Sequence, residues 1–153
     1  MMEHTYLTDT EEMRFLGWLK GNTDALDFVQ VLHSITHVWD DLIDKDKRLT
    51  DATINGAFFD SLITLQRNPF YNQHADELIF LMEQGIRDWF TSNKLMADKN
   101  YEAAFVLRTS LTRVFSHCAF IIGGNTWGQN AADEMNALAL DDLQKFMDEQ
   151  GSN

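Results

Sequence analysis

Apolar side chains recur every three or four residues along nearly the whole chain, the period of amphipathic α-helices. The densest stretch is L-D-F-V-Q-V-L-H-S-I-T-H-V-W-D-D-L-I-D, from Leu26 to Asp44. Its Leu26, Phe28, Val29, Val31, Leu32, Ile35, Val38, Trp39, Leu42 and Ile43 fall nearly all round a helix, the mark of a core helix. Leu32, Ile35, Val38, Trp39 and Leu42 are its expected core residues. The polar exceptions are Gln30, His33, Ser34, His37, Asp40, Asp41 and Asp44. At about 100° per residue they share a strip roughly 120° wide.

The remaining elements follow from caps and breakers. Thr8 followed by Glu11 reads as a capping box, opening a short helix through Leu19 with Gly21 at its C′ position. Asn22 or Thr23 caps the central helix, which runs to about Asp44. After the charged connection D-K-D-K-R-L-T, Thr50 caps a helix whose stripe is Ile54, Ala57, Phe58, Leu62 and Leu65. Asn68-Pro69 reads as a turn. A long helix follows from about Gln73 to Thr91, and Gly85 inside it suggests a close helix contact. Asp98 caps the next helix, which carries Ala104, Leu107, Leu111, Val114, Phe115 and Cys118 and stops at Gly123-Gly124. A last helix starts near Asn130, and the tail 150–153 should fray. The fold expected is all-α: one compact domain, 1–153, of about six helices around a buried central helix.

Composition narrows the function classes. The chain has 153 residues, 44% of them hydrophobic, which allows a sizeable core and argues against disorder. A formal net charge of -12 disfavours broad contact with nucleic-acid phosphates. It favours metal ions or a basic protein surface. The single cysteine, Cys118, excludes an intrachain disulfide framework. No signal peptide is expected from M-M-E-H-T-Y, and no uninterrupted apolar run reaches the ~18 residues of a membrane span. The expected location is therefore cytoplasmic.

The chemistry concentrates on the polar strip of the central helix. Its three carboxylates cluster at the C-terminal end, where the helix dipole disfavours negative charge. A metal ion or an arginine should compensate them. Asp40 and Asp41 each lie one turn from Asp44, and such oxygen donors suit Mg²⁺ or Mn²⁺, which can then clamp a phosphate. His37 could complete this metal set of Asp40, Asp41 and Asp44, or transfer a proton as the catalytic residue. His33 and His37 stand at the i, i+4 spacing of zinc ligands. Zn²⁺ is the weaker match, because Ser34 replaces the glutamate that the metalloprotease motif requires. Alternatively, the histidines simply fill a semi-polar groove. Arg108 lies beside an apolar stripe and calls for an acidic partner. It could pair with the aspartates or bind substrate phosphate. Arg113 and His117 face solvent or the same groove, and His117 is a second substrate-binding candidate. Cys118 reads as a core residue.

D-D-x-x-D at Asp40 to Asp44 resembles the first aspartate-rich motif of class I isoprenoid synthases, all-α enzymes that ionise allylic diphosphates with Mg²⁺. The resemblance covers five residues and implies a metal role for Asp40, Asp41 and Asp44 only. The second acidic motif of those enzymes is missing: the C-terminal helix offers Asp133, Glu134, Asp141 and Asp142 at other spacings. The string H-V-W-D-D-L-I-D-K-D, with R-N-P-F-Y and L-R-T-S-L after it, resembles an uncharacterised group of short bacteriophage-encoded helical proteins. That resemblance implies expression in a bacterial host cytoplasm and brings no activity with it. Three functions stay open. One is a metal-dependent protein acting on or binding a phosphorylated or diphosphate small molecule. Another is a small acidic interaction protein binding a basic host protein, its Asp/His/Arg network purely structural. The third is a structural bundle stabilised by divalent ions.

Overall fold

The computed structural model describes residues 7–45 and 47–151. All regular structure among them is helical, as the apolar spacing requires. The expectations about the first six residues and about fraying at 152–153 lie outside the described residues. Residue contacts group the chain into two compact units, Met1–Ala75 and Asp76–Asn153, and each is described by itself.

In the first unit, α1 (Asp9–Trp18) starts with the expected capping box. Thr8 Oγ1 accepts from Glu11 N–H at 3.2 Å, and Glu11 Oε1 accepts from Thr8 N–H at 3.0 Å. The helix closes through bonds from Gly21 N–H to Leu16 C=O and from Lys20 N–H to Gly17 C=O. This is a Schellman closure, and it puts Lys20 rather than Gly21 at C′, with φ 51°. α2 (Thr23–Asp44) is capped by Asn22, whose side chain accepts from Ala25 N–H. Its buried side chains are Ala25, Leu26, Phe28, Val29, Leu32, Ser34 and Val38. Phe28 is fully buried and stacks on Tyr71, ring centroids 5.7 Å apart. Along α2 burial stops at Val38. The expected core therefore shortens: Ile35 and Trp39 are half-buried, and Leu42 is 39% exposed.

The next rod is α3 (Asp51–Phe59), a π-helical turn at Asp60–Thr64, and α4 (Leu65–Arg67). Thr50 caps it as expected, accepting from Thr53 N–H. The buried face differs from the expected stripe. Thr53, Gly56, Ala57 and Leu65 are buried, whereas Phe58 is 61% and Leu62 67% exposed. Small side chains let α3 approach α2 closely, and the π turn shifts the register of everything after it. The rod thus turns its small face inward and its large apolar face outward. Asn68 then ties the unit together. It caps the short α5 (Pro69–Gln73) by accepting from Tyr71 N–H, and its amide donates to Asp24 C=O, both at 2.8 Å.

The second unit holds most of α6 (Ala75–Ala97), with α7 (Tyr101–Arg108), α8 (Leu111–Asp141) and α9 (Leu143–Gly151). α6 runs past the expected end at Thr91. It closes with Lys99 at φ 62° and a bond from Asn100 N–H to Leu95 C=O. Asn100, not Asp98, is the N-cap residue of α7, and no side-chain bond caps it. The helix expected to run unbroken to Gly123 is interrupted at Thr109–Ser110. There Thr109 Oγ1 donates to Val106 C=O, a local bond that competes with helix continuation. Ser92, fully buried, joins α6 to α7: its hydroxyl donates to Ala104 C=O and accepts from Arg108 Nε.

As expected, one helix stops at Gly123-Gly124, but the next begins directly after it rather than near Asn130. Helical structure resumes after one residue, Gly124, at φ 84° and ψ -176°. That region is essentially restricted to glycine. The chain folds back there, so that a Cβ on Gly128 would collide with Phe120 and one on Gly123 with Trp127. Residues 101–150 contain an 18-residue window with mean hydropathy 1.2, long and apolar enough on those grounds to cross a membrane. Only 39% of that window is buried inside the protein. The break at Thr109–Ser110 and the bend at Gly124 fit core helices as well as a span.

Candidate functional site

α2 carries Asp40, Asp41, Asp44, His33 and His37 on its polar strip because the helix is unbroken from Thr23 to Asp44. Asp41 is largely enclosed and pairs with a lysine. Its side chain is 14% exposed and lies 3.6 Å from Lys47 Nζ. Lys45 follows at φ 57° and closes the helix with a bond to Asp41 C=O. Lys47, just beyond the helix, therefore supplies positive charge where a metal or an arginine was expected, and a cation near a helix C-terminus is favourable in its own right. Among the described residues, no group of three or more His, Cys, Asp or Glu side chains is arranged to hold a metal ion. Consecutive side chains on a helix diverge by about 100°, so Asp40 and Asp41 do not point to a common centre.

The two imidazoles of the strip do come together. The rings of His33 and His37 lie 4.2 Å apart, tilted by 47°. Burial pushes His33 down to about 4; His37 adds to the effect and Glu11 opposes it. Partial burial works against ionisation of Glu11. Its bonds to Thr8 and the two nearby imidazoles outweigh that and hold its carboxyl below the usual value. The capping glutamate of α1 and the histidine pair of α2 thus form one electrostatic cluster.

Arg108 belongs to the second unit and the aspartates to the first. Within its own unit Arg108 donates to Ser92 Oγ and to Asn93 Oδ1, both at 3.0 Å. These bonds hold α7 on α6. His117 Nε2 is buried 3.6 Å from Glu77 Oε2, and Arg113 forms a 2.8 Å ion pair with Asp88. Cys118 is a core residue as expected, and burial pushes its thiol up to about 12.

Two features were missed in the sequence. One is a groove of about 550 Å³ between α2 and the α3–α4 rod. Asp24, Asp27 and Val31 form one wall and Phe59, Ile63 and Arg67 the other. Burial, with Asp24 close by, raises the carboxyl of Asp27. The spacing of Asp24, Asp27 and Val31 marks that wall in the sequence, but the opposite wall depends on the π turn. The second is the exposed ridge of Phe58, Phe59 and Leu62, at 61, 50 and 67% exposure. Helical periodicity alone assigns Phe58 and Leu62 to the core.

Compared with family models, curated proteins and solved structures, the chain finds no match.

Proposed function

We propose that this is an acidic interaction protein that docks a basic partner through the outer face of the α3–α4 rod. The carrying observation is the inversion of that rod, with small residues buried and Phe58, Phe59 and Leu62 exposed. Exposed aromatic and aliphatic clusters of this kind are binding surfaces more often than solvated ones. The neighbouring groove presents Asp24 and Asp27, and the chain as a whole carries a net charge of -12. A partner with Lys or Arg around an apolar anchor matches both features, and the charge should speed its capture at low salt. The bacteriophage resemblance makes a bacterial host protein the natural partner class.

A photo-crosslinking residue placed at Phe58 or Leu62 in bacterial cells tests this. The captured protein is then purified and titrated against the wild type and against a Phe58→Ser/Leu62→Ser double variant. A basic partner, weakened by salt and by the double variant, supports the reading. An acidic partner, or equal binding by the folded variant, overturns it.

A second reading keeps the aspartates as the functional group. It is favoured by the enclosure of Asp41 on the D-D-x-x-D segment. In this reading Mg²⁺ or Mn²⁺ binds Asp40, Asp41 and Asp44 together with a diphosphate, and Lys47 yields its place. His37 supports the ion. Calorimetric titration with Mg²⁺ and inorganic diphosphate, on wild type and Asp44→Asn, tests it. Absence of binding by the wild type, or equal binding by Asp44→Asn, removes this reading.

A further inference from the structure

We infer that His33 and His37 form a two-nitrogen site for a borderline divalent transition ion, Zn²⁺ or Ni²⁺. The inference does not depend on the docking surface. One helical turn separates the two residues, and the ring centroids lie 4.2 Å apart on an unbroken helix. A helix holds such a pair in register without loop motion. Neither imidazole hydrogen-bonds to another described residue, so lone pairs are available to an ion.

The charge around the pair agrees. Glu11, on α1, interacts electrostatically with both rings, so a dication between them would be compensated from outside its coordination shell. Imidazole selects Zn²⁺, Ni²⁺ and Cu²⁺ over the hard ions Mg²⁺ and Mn²⁺, which prefer oxygen. With only two protein ligands, water completes the shell and leaves positions open to a further ligand. This agrees with the absence of any three-ligand group among the described residues. The site differs from the aspartate reading in both ion class and residues. His37 is common to the two, whereas His33 belongs only to this one.

The experiment is calorimetric titration of the full chain with Zn²⁺ and with Ni²⁺, followed by histidine ring NMR. The expected result is one ion per chain, with the His33 and His37 signals shifted and those of His74 and His117 unmoved. Loss of an outer-shell contact commonly weakens a metal site 10- to 100-fold, so His33→Gln or His37→Gln should cost roughly that or more. Asp44→Asn should leave the affinity unchanged. His37 is exposed, so His37→Gln carries the test if His33→Gln does not fold. The inference is overturned if neither ion binds up to millimolar concentration. It is equally overturned if folded His37→Gln binds as the wild type does, or if Asp44→Asn abolishes binding.

Discussion

α2 and α8 are the two long helices with the most apolar sequence around them, and they keep their shape by different means. α2 runs 22 residues without interruption and buries one side of its N-terminal part, Phe28 and Val29 completely. α8 is 31 residues long and contains Gly124 in a conformation outside the helical region. Its turning point is held by contact of Phe120 with Gly128 and of Trp127 with Gly123. In α2 the information lies in large side chains; at the bend of α8 it lies in the absence of side chains. A straight helix tolerates many residues on its outer face. A corner of this kind depends on three glycines within six positions.

The largest expected effect is on α2. Phe28→Ala removes a fully buried ring stacked on Tyr71 and should cost about 3–5 kcal/mol in a denaturation experiment. Gly124→Ala should cost about 1–3 kcal/mol, because a Cβ is strained at that backbone conformation even though open space surrounds it. The pair also tests the single-domain expectation. Calorimetry should show both variants lowering one shared transition, and two transitions, each moved by one variant, would contradict a single cooperative domain.

A smaller effect is expected from pH, and on α2 only. His33 titrates at 6.5 when unfolded and at about 4 when folded. Below pH 6.5 the unfolded chain therefore binds the proton more readily, so stability should fall from about pH 6.5 down to about 4 and level off below. His33→Gln should flatten that part of the profile; an unchanged slope would assign it to other groups. The smallest change has the opposite sign. Gly85 lies inside α6, and its nearest neighbour would be an ordinary 3.8 Å from an added Cβ. Gly85→Ala should stabilise by up to about 1 kcal/mol through helix propensity. A loss of stability there would mean that Gly85, like Gly128, holds a needed close approach.

Much of the local structure was legible residue by residue. Thr8 with Glu11, Asn22 and Thr50 cap the helices they were expected to cap, because a capping bond spans three residues and needs nothing from the rest of the chain. The αL ends were less legible: Lys20, Lys45 and Lys99 occupy them, positions for which glycine is the usual signal. Of the candidate site, the approach of His33 and His37 followed from their spacing alone. The compensation of Asp41 by Lys47 did not, since it depends on how the chain leaves α2.

The sequence by itself therefore determined that the chain is all-α, where α1, α2 and α3 begin, and which residues share the polar strip of α2. These depend on periodicity and on bonds between near neighbours. Tertiary structure decided which face of the α3–α4 rod turns inward, that burial along α2 stops at Val38, and how the chain folds back at Gly124. Each of those outcomes depends on what lies opposite: a helix that small residues can approach, the neighbours packed along α2, and a ring seated on a glycine. Such partners are distant in sequence or reached only after a turn, and helical periodicity carries no record of them.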